Sequence, residues 1–275
     1  MSDTTLPAEY LDRFAGVGRL YGLKGLERLR TRHACVLGVG GVGSWTVEAL
    51  ARSGVGRISL VDLDDICVTN TNRQLHTHSE TIGVFKVDAM AERLRLINPE
   101  LQVHCYREFF TERSADHLLS PAQHGLPEYD VVIDAIDHTE RKALLIAECW
   151  RRGLPVVVSG AAGGRRDPTK VTSSDLSETT HDGLLRNIRR ALRSVHGLPN
   201  VGAWGIQAVY SVERPVYPSA DGEVCETAPR GEALRLNCQL GFGAATHLTA
   251  TFGFVAAHHA LHLLTAPSAT QGDTP

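Results

Sequence analysis

The run Gly38-Val39-Gly40-Gly41-Val42-Gly43 fits the spacing G-x-G-x-x-G. Glycines let the backbone turn tightly and approach a phosphate, and a helix starting there aims its N-terminus at the anion. Asp62 follows at the distance where a strand-end acid can meet ribose hydroxyls. These features alone would serve a dinucleotide equally well. The next residues favour a triphosphate: Asp64, Asp65, the string Asn70-Thr71-Asn72-Arg73-Gln74, and Lys86. A pyrophosphate held between two nucleosides needs little beyond backbone donors, whereas a triphosphate and its leaving pyrophosphate need cations. Arg73 and Lys86 are placed to supply them. Asp137 closes the apolar run that begins at Tyr129-Asp130-Val131. A carboxylate at the carboxyl end of a parallel strand can hold Mg²⁺ against phosphates; Asp134, earlier in the run, is the competing candidate. ATP with Mg²⁺ is therefore the expected ligand pair.

The elements that must carry these residues alternate. His33–Val39, Arg57–Asp62, Leu101–Tyr106, Tyr129–Ala135 and Pro155–Ser159 read as strands. Helical spacing covers Ser44–Ser53, Val84–Ile97, where Asn98-Pro99 stops it, and Thr139–Arg152. Such alternation predicts an α/β fold: a doubly wound, mostly parallel, Rossmann-like sheet. The second half is less regular. Lys170–Ser174 and Gln207–Glu213 read as strands, and Asp182–Val195 as a helix with Leu184, Leu185, Ile188, Leu192 and Val195 on its apolar side. Pro215–Arg235 reads as a long polar loop. No linker or internal repeat divides the chain, so residues 1–265 are expected to form one domain, with 266–275 a disordered tail.

Composition narrows the class. With 275 residues and a net charge of −3, the chain is no global magnet for nucleic acid; a polyanion would need a local basic patch. The cysteines, Cys35, Cys67, Cys105, Cys149, Cys225 and Cys238, form no C-x-x-C pair, which argues against a tetrathiolate zinc site. Their scatter fits a reducing compartment, and the start of the chain lacks a signal-peptide pattern, so a cytoplasmic location is expected. Gly241–Leu264 is apolar but interrupted by Thr and His, and its clean core falls short of the about 20 residues a membrane span takes. It predicts a buried helix at a subunit interface, with peripheral membrane association as the alternative.

GVGGVGS, LVDLDDI, NTNRQ and Lys86 together resemble the ThiF/MoeB/HesA family, relatives of ubiquitin-activating enzymes. Further stretches, RFAGVGRLYG, DDICVTNTNRQ, GAAGGRRDPTK and NCQLGFGAATHLTATFGF, resemble the tRNA threonylcarbamoyladenosine dehydratases of that family. The resemblance runs along nearly the whole chain. It implies that Gly41 binds ATP through its backbone and that Gly38, Gly40 and Gly43 shape the loop. It sets Asp62 at the ribose, Asp64 beside it, and Asn70, Arg73 and Lys86 at the phosphates, with Asp137 on Mg²⁺. It also implies a homodimer in which an N-terminal arginine, Arg19 in preference to Arg13, reaches the partner's nucleotide. The partners implied are tRNA bearing threonylcarbamoyladenosine and, as a further association, a cysteine-desulfurase sulfur-transfer system. Two departures stand out. The C-x-x-C pairs of sulfur-carrier activators are missing, and His138 follows Asp137 where Asn or Ser is usual.

Arg186, Arg189, Arg190 and Arg193 recur at i, i+3, i+4, i+7, a basic helix face opposite the leucines that could grip RNA phosphates. Cys67 and Cys238 are candidate nucleophiles, though dehydration requires no thioester. His258 and His262 share metal-ligand spacing but have no carboxylate or cysteine beside them. The reading is thus an adenylating enzyme acting on a carboxylate of modified tRNA. Its rivals are adenylation of a ubiquitin-like sulfur carrier, an NAD-dependent oxidoreductase and a non-catalytic nucleotide-binding scaffold.

Overall fold

Alternate residues of a strand point to opposite faces, so strands that are apolar throughout need helices on both sides. That is the arrangement in the computed structural model, which describes residues 6–219, 221–226 and 242–267. The chain runs α1 (Ala8–Thr31), β1 (His33–Leu37), α2 (Gly43–Arg52), β2 (Arg57–Val61), α3 (Lys86–Ile97) and β3 (Gln102–Tyr106). A one-turn helix α4 (Ala115–Leu118), β4 (Val131–Asp134), α5 (Thr139–Arg152), β5 (Val156–Ser159), β6 (Val171–Asp175), α6 (Gly183–Ser194) and β7 (Gln207–Ser211) follow. β8 (Tyr217–Pro218) and β9 (Val224–Cys225) pair as a short hairpin, and α7 (Thr246–Thr265) comes last.

Seven strands form one sheet in the order β3-β2-β1-β4-β5-β7-β6, parallel except for the edge strand β6, which runs antiparallel to β7. Both halves of the chain therefore feed the same sheet. Ala34 and Val36 of β1 face a core built by α2, α3 and α7. Cys35 and Leu37 face the opposite core, built largely by α5 and α6. The strand order reverses between β1 and β4, and a crevice opens at their carboxyl ends, where ligands bind in such sheets.

The expected strands and helices are present, most with ends shifted by one or two residues. Three differences have physical causes. Residues before His33 form α1, kinked at Gly22 (φ 76°, ψ 159°); four glycines at 16, 18, 22 and 25 masked its helical pattern. Val195, expected on the buried side of α6, is 74% exposed because the helix ends at Ser194 and the periodicity ends with it. The polar stretch from Pro215 contains the β8–β9 hairpin; residues 227–235 of that loop, Cys238 and residues 268–275 lie outside the described residues. The apolar C-terminal stretch is a helix packed into the core by Leu248, Phe252, Ala256, Ala260 and Leu264. Among the described residues, no helix is long and apolar enough to cross a membrane.

Candidate nucleotide-binding site

The glycine loop joins β1 to α2 at the crevice. Gly38 has φ +87°, and a Cβ there would stand 2.7 Å from the Ala135 carbonyl oxygen, at the end of β4. At Gly43 a Cβ would fall 1.8 Å from the Gly38 carbonyl oxygen. Neither backbone neighbour can yield, so these two positions require glycine. No side chain caps α2; within its first turn the Ser44 amide donates to the Gly40 carbonyl and the Thr46 amide to the Val42 carbonyl, each at 3.1 Å, and the positive end of the helix lies at the glycine loop.

Asp62, just beyond β2, locks the loop from the side. Its Oδ2 accepts the Val39 amide at 2.7 Å and its Oδ1 the Asp64 amide at 2.9 Å. Burial pushes its carboxyl up from the ordinary range, while Lys86 and the two amides pull it back down. His76 supports the loop from below, its Nε2 lying 2.8 Å from the Val39 carbonyl. Burial holds that imidazole at about 4, so the ring is neutral and donates from Nε2.

The string Asn70-Thr71-Asn72-Arg73-Gln74 lies over the loop. A Cβ on Gly41 would touch the Arg73 side chain at 3.4 Å, and one on Gly40 would meet the Gln74 amide nitrogen at 3.7 Å. The Arg73 Nη1 donates to the Thr69 carbonyl and to Asn72 Oδ1, both at 2.9 Å. Asn70 is buried and its Oδ1 accepts the Cys67 amide at 3.1 Å, closing the short turn Val68–Asn70. Asn70 thus shapes the turn that carries Arg73. The Arg73 carbonyl in turn accepts from Trp45 Nε1 (3.1 Å) and Thr249 Oγ1 (3.2 Å). Thr246 donates to the Asn72 carbonyl and Asn72 to the Ala244 carbonyl, each at 2.7 Å. The start of α7 therefore fixes the site from 170 residues away in the chain, a link that periodicity alone does not reveal.

Lys86 opens α3 with its side chain 8% exposed, and its ammonium lies 2.7 Å from Asp64 Oδ2, a carboxylate 53% exposed. Asp64 is thus the ion-pair partner of Lys86. Asp137 lies exposed beyond β4, and it does not cap the following helix: the N-cap of α5 is His138. Asp134 is fully buried and paired at 3.0 Å with the equally buried Lys142, which removes it from the competition for a metal. Among the described residues no cluster of three or more His, Cys, Asp or Glu side chains could cage a metal. One exposed carboxylate near a glycine loop has the donor chemistry that suits Mg²⁺, which is commonly held by one or two carboxylates, water and substrate phosphates.

An open cavity of about 380 Å³ lies beyond β3, lined by Leu63, Arg107, Phe109, Ser114 and His117 among others. Leu63 follows Asp62, so this cavity lies beside the carboxyl end of β2. The Arg141 guanidinium sits 4.1 Å from the Phe109 ring centre. The only sequence signal for this wall was its position after a parallel strand.

Other candidates separate from the crevice. Arg19 is exposed on α1 next to the Gly22 kink. α1 contacts the amino-terminal edge of the sheet, Tyr10 to the Gly54 carbonyl, Arg13 to the Ile97 carbonyl and Arg30 to Glu100, and the end of α7, Arg28 to the Thr265 carbonyl. Arg19 is thus not brought to Arg73 and Lys86 of its own chain. Cys67 is exposed, and the Thr69 hydroxyl hydrogen-bonded to its sulfur holds the thiol below its usual range. Arg186, Arg189, Arg190 and Arg193 line a single groove of about 510 Å³ with Ser194 and Asn200. Arg189 bonds Thr179, and Arg193 stacks 5.1 Å from the Trp204 ring centre, so Arg186 and Arg190 are the more exposed pair.

Comparison with known proteins agrees with this geometry. The ThiF family model matches residues 12–273. The chain is 47% identical to a tRNA threonylcarbamoyladenosine dehydratase of Escherichia coli strain K12, covering 94% of this chain and 96% of the relative. It is 48% identical to one of Haemophilus influenzae, covering 90% and 91%. Among solved structures, it superposes with a TM-score of 0.83 on the E. coli tRNA N6-threonylcarbamoyladenosine dehydratase in complex with ATP, at 42% identity over 98% of this chain and all of that one. With its glycine loop, strand-end acids and paired cations set on a sheet of this order, the chain belongs to the ThiF family.

Proposed function

We propose that this chain uses ATP to adenylate the carboxylate of threonylcarbamoyladenosine in tRNA and then dehydrates it to a ring. The observation that carries the reading is that Arg73 packs against Gly41 of the glycine loop while Lys86, paired with Asp64, acts electrostatically on Asp62, the acid that holds the Val39 amide of that loop. The likeness to dehydratases over nearly the full chain selects the substrate.

In this reading residues 1–265 act as one adenylating domain. The α2 amides and the glycine loop cradle the phosphates, Asp62 accepts the ribose hydroxyls, and the base enters the cavity walled by Leu63 and Phe109. A substrate carboxylate oxygen attacks the α-phosphorus; the bond to the β-phosphate bridging oxygen breaks and pyrophosphate leaves. Arg73 and Lys86 offset the negative charge that builds on the phosphates. Asp137 would hold Mg²⁺, which supplies further charge neutralisation when bound. A neighbouring oxygen or nitrogen of the same urea group then attacks the acyl carbon, AMP departs with the carboxylate oxygen, and a proton is released. The net change in the nucleoside is loss of one water. The second step is intramolecular, so it depends on positioning more than on a protein nucleophile, and Cys67 has no part in it.

Two further assignments belong to the same proposal. Arg19 is exposed on α1, whose contacts lie at the amino-terminal edge of the sheet and the end of α7, and in this reading it serves the nucleotide of a second copy in a homodimer. The groove of Arg186, Arg189, Arg190 and Arg193 holds tRNA phosphates, the concentrated patch that a chain of net charge −3 requires for a polyanion. The test is to incubate the protein with ATP, Mg²⁺ and tRNA bearing the modification and to analyse the nucleosides by mass spectrometry. Loss of one water from threonylcarbamoyladenosine, dependent on ATP, is expected; an unchanged nucleoside refutes the assignment.

A further inference from the structure

We propose that Lys142 is a positioning residue that holds the turn carrying Asp137 in register with the glycine loop. The inference rests on the assignment of Asp137 to the metal side of the nucleotide. Lys142 lies on α5 and is completely buried, as is its partner Asp134. Its ammonium reaches three acceptors: the Asp134 carbonyl at 3.1 Å, the Ile136 carbonyl at 3.0 Å and Asp134 Oδ1 at 3.0 Å. All three belong to the residues immediately before Asp137. Asp134 Oδ1 also accepts the Ile136 amide at 3.1 Å, so both peptide groups of the turn are tied to this pair.

The other side of the turn is tied to the glycine loop. The Ala135 amide donates to the Leu37 carbonyl at 2.9 Å, and the Ala135 carbonyl lies under Gly38, in the space a Cβ would fill. The turn is thus clamped between β1 and Lys142, and Asp137 emerges from the clamp. A buried ion pair contributes little net stability compared with a well-packed apolar pair, because desolvation offsets the attraction. What it supplies here is direction: an apolar side chain at 142 would remove the donor that ties the Asp134 and Ile136 carbonyls together and leave the turn freer to shift. Groups that orient a metal-side carboxylate this way change metal affinity by about 10–100-fold when removed.

The test uses three full-length variants: Lys142→Met, Asp134→Asn/Lys142→Met, and Asp137→Asn. Calorimetry measures ATP affinity with and without Mg²⁺, and thermal unfolding is followed alongside. Lys142→Met leaves a buried carboxylate unpaired and should melt early. The double variant removes both charges and should recover much of that loss in melting temperature. It should bind metal-free ATP as the parent does, yet its affinity gain from Mg²⁺ should shrink by about tenfold or more, as in Asp137→Asn. A double variant with the parent's Mg²⁺ gain overturns the role of Lys142, provided Asp137→Asn loses its own. If Asp137→Asn keeps the gain, the metal assignment itself fails and the inference fails with it. Equal loss of metal-free ATP binding would also overturn it, since Lys142 would then shape the whole crevice. Should the double variant not fold, Lys142→Arg replaces it: charge is kept, donor geometry is changed, and a normal Mg²⁺ gain contradicts the proposal.

Discussion

Replacing Lys86 with Met should separate catalysis from stability. Lys86 is buried along its stem, and its ammonium is paired with Asp64, whose side chain is 53% exposed. Methionine keeps most of the buried methylene contact and removes only the charge. Asp64 then returns to water, so the lost pair should cost about 0–1 kcal/mol of stability, the range for pairs with a solvated partner. The same charge facing a departing pyrophosphate is worth far more. Removing one preorganised electrostatic donor at a transition state costs about 2.7–4 kcal/mol, or roughly 10²–10³ in turnover. The assay pairs urea unfolding with single-turnover release of pyrophosphate from ATP and modified tRNA. An unfolding midpoint near the parent's with a turnover loss of that order is expected. Turnover close to that of the parent would refute the assignment. So would a loss of turnover that merely follows a large loss of stability, since Lys86 would then be a structural residue of α3.

Three more outcomes follow from the geometry. Mixed Arg19→Ala and Lys86→Ala protomers should regain part of the activity that each variant lacks alone, because one intact site can form across the pair; gel filtration showing a fully active monomer would contradict this. Replacing Arg186 and Arg190 with Ala should weaken tRNA binding and reduce its salt slope by about one per lost phosphate contact, leaving ATP affinity unchanged; identical binding at every salt concentration would reduce the groove to a solvated surface. Burial holds the imidazoles of His33 and His76 at about 4, below the ordinary 6.5. The unfolded chain takes up these protons first, so their contribution is complete above about 6.5 and is lost as the pH falls toward 4. Urea midpoints measured across this range should fall with pH, and replacing both histidines with Gln should flatten that limb.

The residues assigned here to phosphate were legible because their chemistry is local. Gly38 to Gly43, Asp62 and Asn70 to Gln74 are short strings whose types and order declare a turn, a strand end and a polar lid. The sheet was legible for the same reason, since each strand and helix carries its own period. What sequence spacing could not show was contact between distant segments. Thr246 and Thr249 hold the Arg73 segment, yet in the sequence they only interrupt an apolar helix. Lys142 follows Arg141 with nothing local to mark it as buried, yet tertiary packing sets it against Asp134 in the interior. The pairing of Asp64 with Lys86, 22 residues on, is another contact that spacing does not declare. The four arginines were correctly placed on one face by periodicity, but only the fold shows Thr179 and Trp204 occupying two of them. Glycines obscured α1 because helix propensity weighs against them, while the kink at Gly22 makes use of one.

The central claim is that the substrate carboxylate, and no other group, is joined to the α-phosphate at this crevice. It is tested most directly with tRNA whose threonylcarbamoyl carboxylate carries ¹⁸O in both oxygens. Attack on the α-phosphorus followed by ring closure must leave one labelled oxygen on the phosphate of AMP, which mass spectrometry reads in a single turnover. AMP bearing one ¹⁸O, released together with unlabelled pyrophosphate, is the predicted result. Unlabelled AMP, or ADP and inorganic phosphate in its place, would contradict the account.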